Sequence, residues 1–285
     1  MSGPKTGAVL ASADTPPLPV RSDDLAERLL RLAIPALMLG LLVVVWAWYV
    51  AAYQVPHYIL PSPARVAQSL VNDWPILSAA LLVTLKITFM ALGLALIGGV
   101  GLAILMTQSR WVELAIYPYA VILQVTPIVA IAPLILIYAP TTQTALLICA
   151  FIVAFFPVLS NTTQGLKSTD HNLLNLFEMY GASRWQTLRY LKLPAALPYF
   201  LAGLKIAGGL ALIAAVVAEF AAGSAGAQSG LAYRLLESQF RLNIPRLFAA
   251  LLLLSLTGVV IFALTSAISH LLLRRWHESA IRREN

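Results

Sequence analysis

The sequence predicts an all-α polytopic membrane protein with about six transmembrane helices. Hydrophobic residues make up 60% of the 285 residues and charged residues only 11%, whereas about 25% of the residues of an ordinary soluble domain are charged. The mean hydropathy is +0.82. A helix needs roughly 20 apolar residues to cross the hydrocarbon of a membrane. Six windows have or nearly have this length: 33–53, 79–106, 112–137, 143–160, 199–222 and 247–273.

The windows divide the chain into three segments. Residues 1–32 are expected to form a cytoplasmic tail and an interfacial helix, because Arg28 and Arg31 lie beside leucines at the start of an apolar run. Residues 33–273 form the transmembrane domain, and residues 274–285 form a cytoplasmic C-terminal tail. The net charge of +7 indicates attraction to anionic lipid rather than to nucleic acid, because the cations lie beside the apolar windows.

The distribution of basic residues predicts the orientation of the chain. Of the 19 lysines and arginines, thirteen lie in the termini and in the connections on the same side, and four lie in the opposite connections: Arg65, Arg234, Arg241 and Arg246. Cytoplasmic loops carry the excess of lysine and arginine, so we expect both termini in the cytoplasm. The three arginines of the 220–246 connection oppose this orientation.

A polar and basic segment interrupts the apolar sequence at residues 175–194, which we call the elbow. Its pattern predicts two short helices that meet at an angle. Gly181 ends the first helix, because glycine adopts a left-handed backbone at little cost. Ser183 and Gln186 have the spacing of a capping box and begin the second helix. Pro194 limits the second helix, because proline has no backbone donor and clashes with the preceding turn.

The loop that carries the elbow spans residues 161–198. Ser168, Thr169 or Asp170 can cap the first of its two helices, since short polar side chains accept hydrogen bonds from the first free amides of a helix. From these features alone the loop is either a docking element or a solvated linker between two spans.

The spacing within the elbow carries a resemblance to a known family. Nine residues separate Gly181 from Leu191, and one residue separates Leu191 from Leu193-Pro194. This spacing is similar to the "EAA" signature of the permease subunits of bacterial ABC importers, whose loop docks into a groove of a cytoplasmic ATPase. Asn175 stands where the signature has an acidic residue, and Leu176-Phe177 replace its two alanines.

The resemblance implies the type I ABC importer permease fold, with a cytoplasmic coupling helix in the loop. It also assigns eight residues to coupling with the ATPase: Asn175, Glu178, Gly181, Ala182, Ser183, Arg184, Leu191 and Pro194.

Leu60-Pro61-Ser62-Pro63, ahead of the second window, predicts a stiffened entry into a short interfacial helix that runs through Leu70. A plain surface turn is the alternative. The same four residues resemble one branch of the ABC permeases, which handles sulfonates, taurine, nitrate and thiamine-precursor pyrimidines. That resemblance extends from about Leu60 to about Ala263.

Polar groups are costly inside a span, so those of the third window are informative. The resemblance places this window beside the central pathway, and this implies a translocation role for them. Gln124 and Thr126 present hydrogen-bonding groups near the middle of the membrane, and Pro127 frees a carbonyl group there. Hydrogen bonds between neighbouring helices are the alternative role.

The fifth window contributes Gly208 and Glu219 to the same set of candidates. Gly203 and Gly208 belong to a series of small residues that predicts close packing of helices. Glu219 follows Gly208 by eleven residues, about three turns, so the two lie on one helix face. Glu219 either gates the outer end of a pathway or pairs with an arginine such as Arg234.

Several kinds of site are not expected in this chain. No glycine-rich loop ends in Gly-Lys-Ser/Thr, so we expect ATP and Mg²⁺ to bind to a partner ATPase and not to this chain. The four histidines are scattered and Cys149 is the only cysteine, so no metal site is expected. No hydrolase motif is recognisable, and we expect no catalytic residues.

The resemblance implies the permease subunit of an ATP-binding cassette importer in the bacterial inner membrane. Two copies would form a homodimer, bind two cytoplasmic ABC ATPase subunits, and receive a small solute from a periplasmic or tethered binding protein. An aminopyrimidine-like nutrient is favoured over nitrate, taurine or another sulfonate. Two alternatives are a secondary transporter or channel without an ATPase, which normally shows repeated halves, and a non-transporting membrane scaffold.

Overall fold

The computed structural model describes residues 24–223 and 229–274, so residues 1–23 and 275–285 of the expected tails lie outside the described residues. Every regular element in the described ranges is helical. The helices are α1 Asp24–Ala52, α2 Pro63–Asn72, α3 Trp74–Gln108, α4 Arg110–Val125, α5 Ile128–Tyr138, α6 Thr142–Lys167, α7 His171–Met179, α8 Arg184–Thr187, α9 Leu193–Ala222, α10 Leu231–Phe240 and α11 Ile244–Leu273.

The chain divides into two compact units, Met1–Tyr53 and Gln54–Asn285. Helix α1 belongs to the first unit and is long and apolar enough to span a membrane over Ala33–Ala52. The interfacial helix expected before residue 33 is therefore the first part of α1 and not a separate element. All other helices belong to the second unit.

Helices α3, α6 and α9 form the centre of the second unit, and glycines let their backbones approach closely. A Cβ atom at Gly203 of α9 would lie 2.8 Å from the carbonyl oxygen of Pro157 in α6. A Cβ atom at Gly165 of α6 would lie 2.9 Å from the Cα atom of Ala196 in α9. This geometry confirms the close packing predicted from the small residues, and it is how membrane helices associate when hydrophobic burial offers no net gain.

The third apolar window is broken and does not form one straight span. Helices α4 and α5 meet at an angle of 103°, and Thr126-Pro127 lies between them. Pro127 has no amide hydrogen to continue the helix, so the chain turns there and α5 begins immediately after it. The structure therefore has five candidate spans among the described residues, or six if the bent pair counts as one.

The second helix of the elbow does not end at Pro194, so this part of the sequence prediction is wrong. Helix α8, a π-helical turn at Leu188–Lys192 and helix α9 follow one another without a break. In the π turn the amide of Leu193 donates to the carbonyl of Leu188, five residues earlier. This wider turn accommodates the ring of Pro194, which occupies the first turn of α9 and would clash with a regular helix before it.

The short helix expected after Leu60-Pro61-Ser62-Pro63 is confirmed as α2. Ser62 is its N-cap, and the Ser62 hydroxyl accepts a hydrogen bond from the amide of Arg65 at 3.4 Å. Helix α2 packs against α11 and α3. Helices α2 and α10, with the parts of α3 and α11 that they contact, form the end of the second unit away from the elbow. We call this end the distal end.

Glu219 fastens three helices together at the distal end. Its side chain is 2% exposed. One carboxylate oxygen accepts from the hydroxyl of Thr84 in α3 at 2.7 Å, and the other accepts from the amide of Ala232 in α10 at 2.9 Å. The Thr84 hydroxyl in turn accepts from the amide of Leu231 at 3.0 Å. The carboxylate therefore joins the end of α9 to α3 and to the first turn of α10.

The pairing of Glu219 with Arg234 considered from the sequence is wrong, because Arg234 has another partner. Arg234 donates to Glu237 at 2.8 Å, and Arg241 lies 3.0 Å from the same carboxylate. Arg246 donates to Asp73 at 2.5 Å. All three arginines that opposed the expected orientation are therefore paired with carboxylates.

We expect Glu219→Ala to destabilise the protein. The Ala232 amide would lose its acceptor in a buried site, at about 1–3 kcal/mol for an unpaired group. The Thr84 hydroxyl would lose its shorter hydrogen bond and keep the one to the carbonyl of Ala80, at 3.3 Å. Gly230→Ala tests the same contact from the other side, since a methyl group at Gly230 would displace the Glu219 carboxylate. The measurement is the midpoint of thermal aggregation in detergent, followed by size-exclusion chromatography.

Gly209→Ala is the matched control for both variants. Gly209 lies inside α9, and no atom lies within 4 Å of a Cβ atom built there. Alanine is favoured over glycine in a helix by about 1 kcal/mol, so this variant should keep or raise the midpoint. Wild-type midpoints for both Glu219→Ala and Gly230→Ala would contradict the role assigned to Glu219.

A second prediction concerns acid and the ion pair between Asp73 and Arg246. The hydrogen bond from Arg246 holds the pKa of the Asp73 carboxyl below its ordinary value of 3.8, with a smaller contribution in the same direction from Ser69 and an opposing one from burial. Because the folded-state pKa is lowered, the stabilisation is fully present above the pKa of the unfolded chain, about 3.9, and is lost as the pH falls through the lowered value.

Thermal midpoints of the wild type and of Asp73→Asn should therefore differ by a constant amount from pH 5 to pH 8. Below about pH 4 the wild type should lose stability more steeply, and the two midpoints should converge. Parallel curves down to pH 3 would show that the pair contributes no pH-dependent stability.

Candidate functional site

The first half of the elbow is a short helix with a defined start. Asp170 is the N-cap of α7, and its carboxylate accepts from the amide of Asn172 at 2.7 Å. Of the three capping residues considered from the sequence, Asp170 is the one that acts. Helix α7 presents Asn175 and Glu178 to solvent.

Gly181 ends this helix in the way the sequence predicts. Its φ angle is +66°, in the left-handed region. The amide of Gly181 donates to the carbonyl of Glu178 at 2.9 Å, and the amide of Ala182 donates to the carbonyl of Phe177 at 3.0 Å. These two bonds define a Schellman motif, which satisfies carbonyl groups at the end of a helix.

The capping box predicted at Ser183 is also confirmed. The Ser183 hydroxyl accepts from the amide of Gln186 at 3.3 Å, and the side chain of Gln186 accepts from the amide of Ser183 at 2.7 Å. Only Ala182 separates the left-handed Gly181 from this box. The direction of the chain through the elbow is thus determined by two adjacent motifs made entirely of local hydrogen bonds.

Large side chains project from the elbow that the sequence reasoning did not assign to the site. Met179 is 85% exposed, Tyr180 83%, Trp185 64% and Tyr190 65%. Tyr180 and Tyr190 line an open apolar cavity of about 530 Å³ on one side of the turn. Their position in the sequence could have identified them, because bulky side chains in a polar segment do not belong to an apolar span.

The opposite side of the elbow is polar. A cavity of about 340 Å³ lies there between the end of α3 and the elbow. Glu178, Arg184 and Lys192 line it. The elbow therefore presents an apolar flank and a charged flank to its surroundings.

The eight residues assigned to coupling occupy two different positions in the elbow. The exposed residues are Asn175, Glu178, Gly181, Ser183 and Arg184, and Ala182 is half-buried. Leu191 is buried and Pro194 is half-buried. Near Leu191, Leu188 packs with Met106 of α3 and Leu166 of α6. The residues of the signature thus combine an exposed turn with its anchor in the helix bundle.

The pathway candidates of the third window lie at the bend between α4 and α5. Gln124 and Pro127 are exposed. The Thr126 hydroxyl donates to the carbonyl of Ile122 within α4, at 2.7 Å. These residues mark the break in the span.

The pathway candidates of the fifth window are used for packing. A Cβ atom at Gly208 would lie 3.2 Å from Ile261 and 3.3 Å from Thr265, so Gly208 lets α9 approach α11 closely. Glu219 is enclosed by α3 and α10 as described above. Neither of these two residues, nor Gln124 or Thr126, lines either of the two cavities at the elbow.

Comparison with known proteins shows the relationship of the chain. Residues 95–278 match the family described as "Binding-protein-dependent transport system inner membrane component". A probable ABC transporter permease protein of Haemophilus influenzae is 34% identical over 225 residues, which cover 79% of this chain and 90% of that protein.

Two relatives are named for the solutes they transport. The formylaminopyrimidine transport permease protein ThiX of Halalkalibacterium halodurans is 33% identical over 240 residues, 84% of this chain and 94% of that protein. The riboflavin transport system permease protein RibX of Chloroflexus aurantiacus is 36% identical over 255 residues, 87% of this chain and 91% of that protein.

A solved structure has the same fold. The crystal structure of an amino acid ABC transporter with histidines superimposes with a TM-score of 0.60 and 21% sequence identity, over 73% of this chain and 97% of that chain. This likeness confirms the predicted all-α fold of an ABC importer permease. The chain therefore belongs to the family of binding-protein-dependent ABC transporter permeases: it is a multi-pass inner membrane subunit that translocates a solute and is not itself an ATPase.

Proposed function

We propose that the elbow is the coupling element through which this permease receives the work of a cytoplasmic ABC ATPase. The observation that carries the proposal is the pair of adjacent motifs at Gly181 and Ser183, which holds a turn with exposed Met179, Tyr180 and Trp185. Aromatic side chains and methionine are enriched at the core of protein interfaces, and a polar rim surrounds that core. A solvated linker has no need of such a surface.

The continuity of the elbow with a span supports transmission of movement. Helix α8, the π turn and α9 form one helical path from Arg184 to Ala222. If the ATPase displaces the elbow, α9 is displaced with it, because the two are continuous. Because α9 packs against both α6 and α3, the centre of the bundle would move with it, as alternating access requires.

The proposed assembly contains two copies of this chain, two ATPase subunits that bind ATP and Mg²⁺, and a periplasmic or tethered binding protein. Both termini and the 161–198 loop lie in the cytoplasm in this proposal. The excess of lysine and arginine on that side of the chain, thirteen against four, supports that orientation.

The proposed solute is a small planar heteroaromatic nutrient, such as an aminopyrimidine. The names of ThiX and RibX, which refer to formylaminopyrimidine and riboflavin, support this class. Nitrate, taurine and other sulfonates are the competing solutes. Binding measurements on the soluble receptor that serves this permease test the proposal, and a receptor selective for sulfonates would contradict it.

We expect Gly181→Val to impair coupling without preventing membrane insertion. A β-branched residue in the left-handed conformation costs on the order of 1–2 kcal/mol, so the turn would strain or redirect α8. The apolar spans are unchanged, and insertion depends on them. The variant should copurify with little ATPase and transport little solute. Ser183→Ala should have a milder effect, through loss of a cap worth about 1 kcal/mol.

Gly181→Asn is the matched control at the same position, because asparagine enters the left-handed region more readily than valine. It should retain more ATPase than Gly181→Val. If Gly181→Val retains wild-type amounts of ATPase and wild-type uptake, the docking proposal is wrong. If the variant binds the full amount of ATPase but transports no solute, the docking proposal stands and the defect lies in the transmission of movement.

A further prediction concerns the exposed aromatic surface. Trp185→Ala should weaken ATPase retention at least ten-fold, because truncation of a central tryptophan in an interface commonly costs 2 kcal/mol or more. Trp111→Ala is the matched control, since Trp111 is 82% exposed on α4 and lies outside the elbow. Equal retention in the two variants would exclude Trp185 from the interface. Pull-down of the ATPase at a series of concentrations measures the effect.

A further inference from the structure

A second polar cavity lies between α4, α6 and α9, next to the elbow. Its volume is about 470 Å³, within the range of about 300–1,000 Å³ that small-molecule sites occupy. Lys167 and Ser168, at the end of α6, line it and lead directly into the segment before α7. The cavity is therefore at the same end of the second unit as the elbow, and the start of α7 connects the two.

Two tyrosines from different helices line this cavity. Tyr117 of α4 is 38% exposed and Tyr199 of α9 is 37% exposed. Tyr117 also has an aromatic neighbour outside the cavity, Phe156, at 6.5 Å between ring centroids. Aromatic side chains bind planar heterocycles by stacking on their faces. Two such residues at one cavity favour a planar ligand.

The charged residues of the cavity neutralise each other. The ammonium group of Lys167 is paired with the carboxylate of Glu113, and both side chains line the cavity. Among the described lining residues there is no further cation to hold a sulfonate, phosphate or carboxylate. A free anion gains little at a site whose charges are already paired, so the site favours an uncharged ligand.

Hydrogen-bonding groups complete the lining. Thr163 is 6% exposed, and its hydroxyl is buried without a hydrogen-bond partner in the described part of the chain. A buried hydroxyl without a partner is unfavourable, so a ligand group or water that bonded to it would be stabilised. Gln164 adds an exposed amide with both donor and acceptor atoms.

We propose that this cavity binds a small, uncharged, planar heteroaromatic molecule with polar edges, and that it holds the transported solute at the inner end of the permease before release. The assignment to the transported solute rests on the proposed function. The tyrosines contact the faces of the ring, and Thr163, Gln164 and the Lys167 and Glu113 pair bind its edges. The site lies beside the segment that leads into the elbow, so a bound ligand is placed to affect coupling.

The test uses the complete transporter in lipid nanodiscs without the binding protein. Equilibrium dialysis with 4-amino-2-methylpyrimidine should show saturable binding. Tyr117→Leu and Tyr199→Leu should each weaken it at least ten-fold, while Tyr117→Phe should stay within about three-fold of the wild type because it keeps the ring. The matched control is Tyr119→Leu, since Tyr119 is exposed on α4 but does not line the cavity.

Three results would overturn the proposal: no saturable binding, binding that neither Tyr117→Leu nor Tyr199→Leu weakens, or competition by taurine as strong as by riboflavin. ATPase copurification is measured on the same samples. If the wild-type sample binds the pyrimidine but loses its ATPase, the coupling function is contradicted and the proposed binding site is not. A sample that keeps its ATPase but does not bind would contradict the site alone.

Discussion

The close approach of α6 and α9 is the contact on which the rest of this structure depends. Gly165 and Gly203 remove the side chains that would hold these backbones apart. Helix α6 leads into the elbow and α9 leads out of it, so their packing determines where the elbow lies. In a membrane, where lipid is as apolar as leucine, such close packing replaces hydrophobic burial as the stabilising force.

The distal end is held in a different way, by polar contacts. Glu219 accepts hydrogen bonds from Thr84 and Ala232, and Arg246 pairs with Asp73. Polar groups away from water must be satisfied within the protein, so these contacts fix α10 and α11 against α3 more specifically than apolar packing would. The bundle is thus fastened by small residues along its length and by charges at one end.

The elbow combines local and tertiary determinants. Gly181 and Ser183 could be assigned from the sequence, because a left-handed turn and a capping box depend only on residues within a few positions of each other. The course of the chain beyond Pro194 could not be assigned in the same way. Proline ends most helices, but here a π turn accommodates Pro194 and the chain continues as α9. Packing against α6 stabilises this continuous helix.

The sequence alone determined the fold class, the approximate spans and the turn within the elbow, because hydropathy, helix period and capping are properties of neighbouring residues. Only the tertiary structure decided the partners of the charged residues and the lining of the cavities. Thr84 and Glu219 are 135 residues apart in the chain, and Glu113 and Lys167 are 54 apart. Contacts over such separations depend on how helices rotate and pack, and no local pattern specifies that rotation.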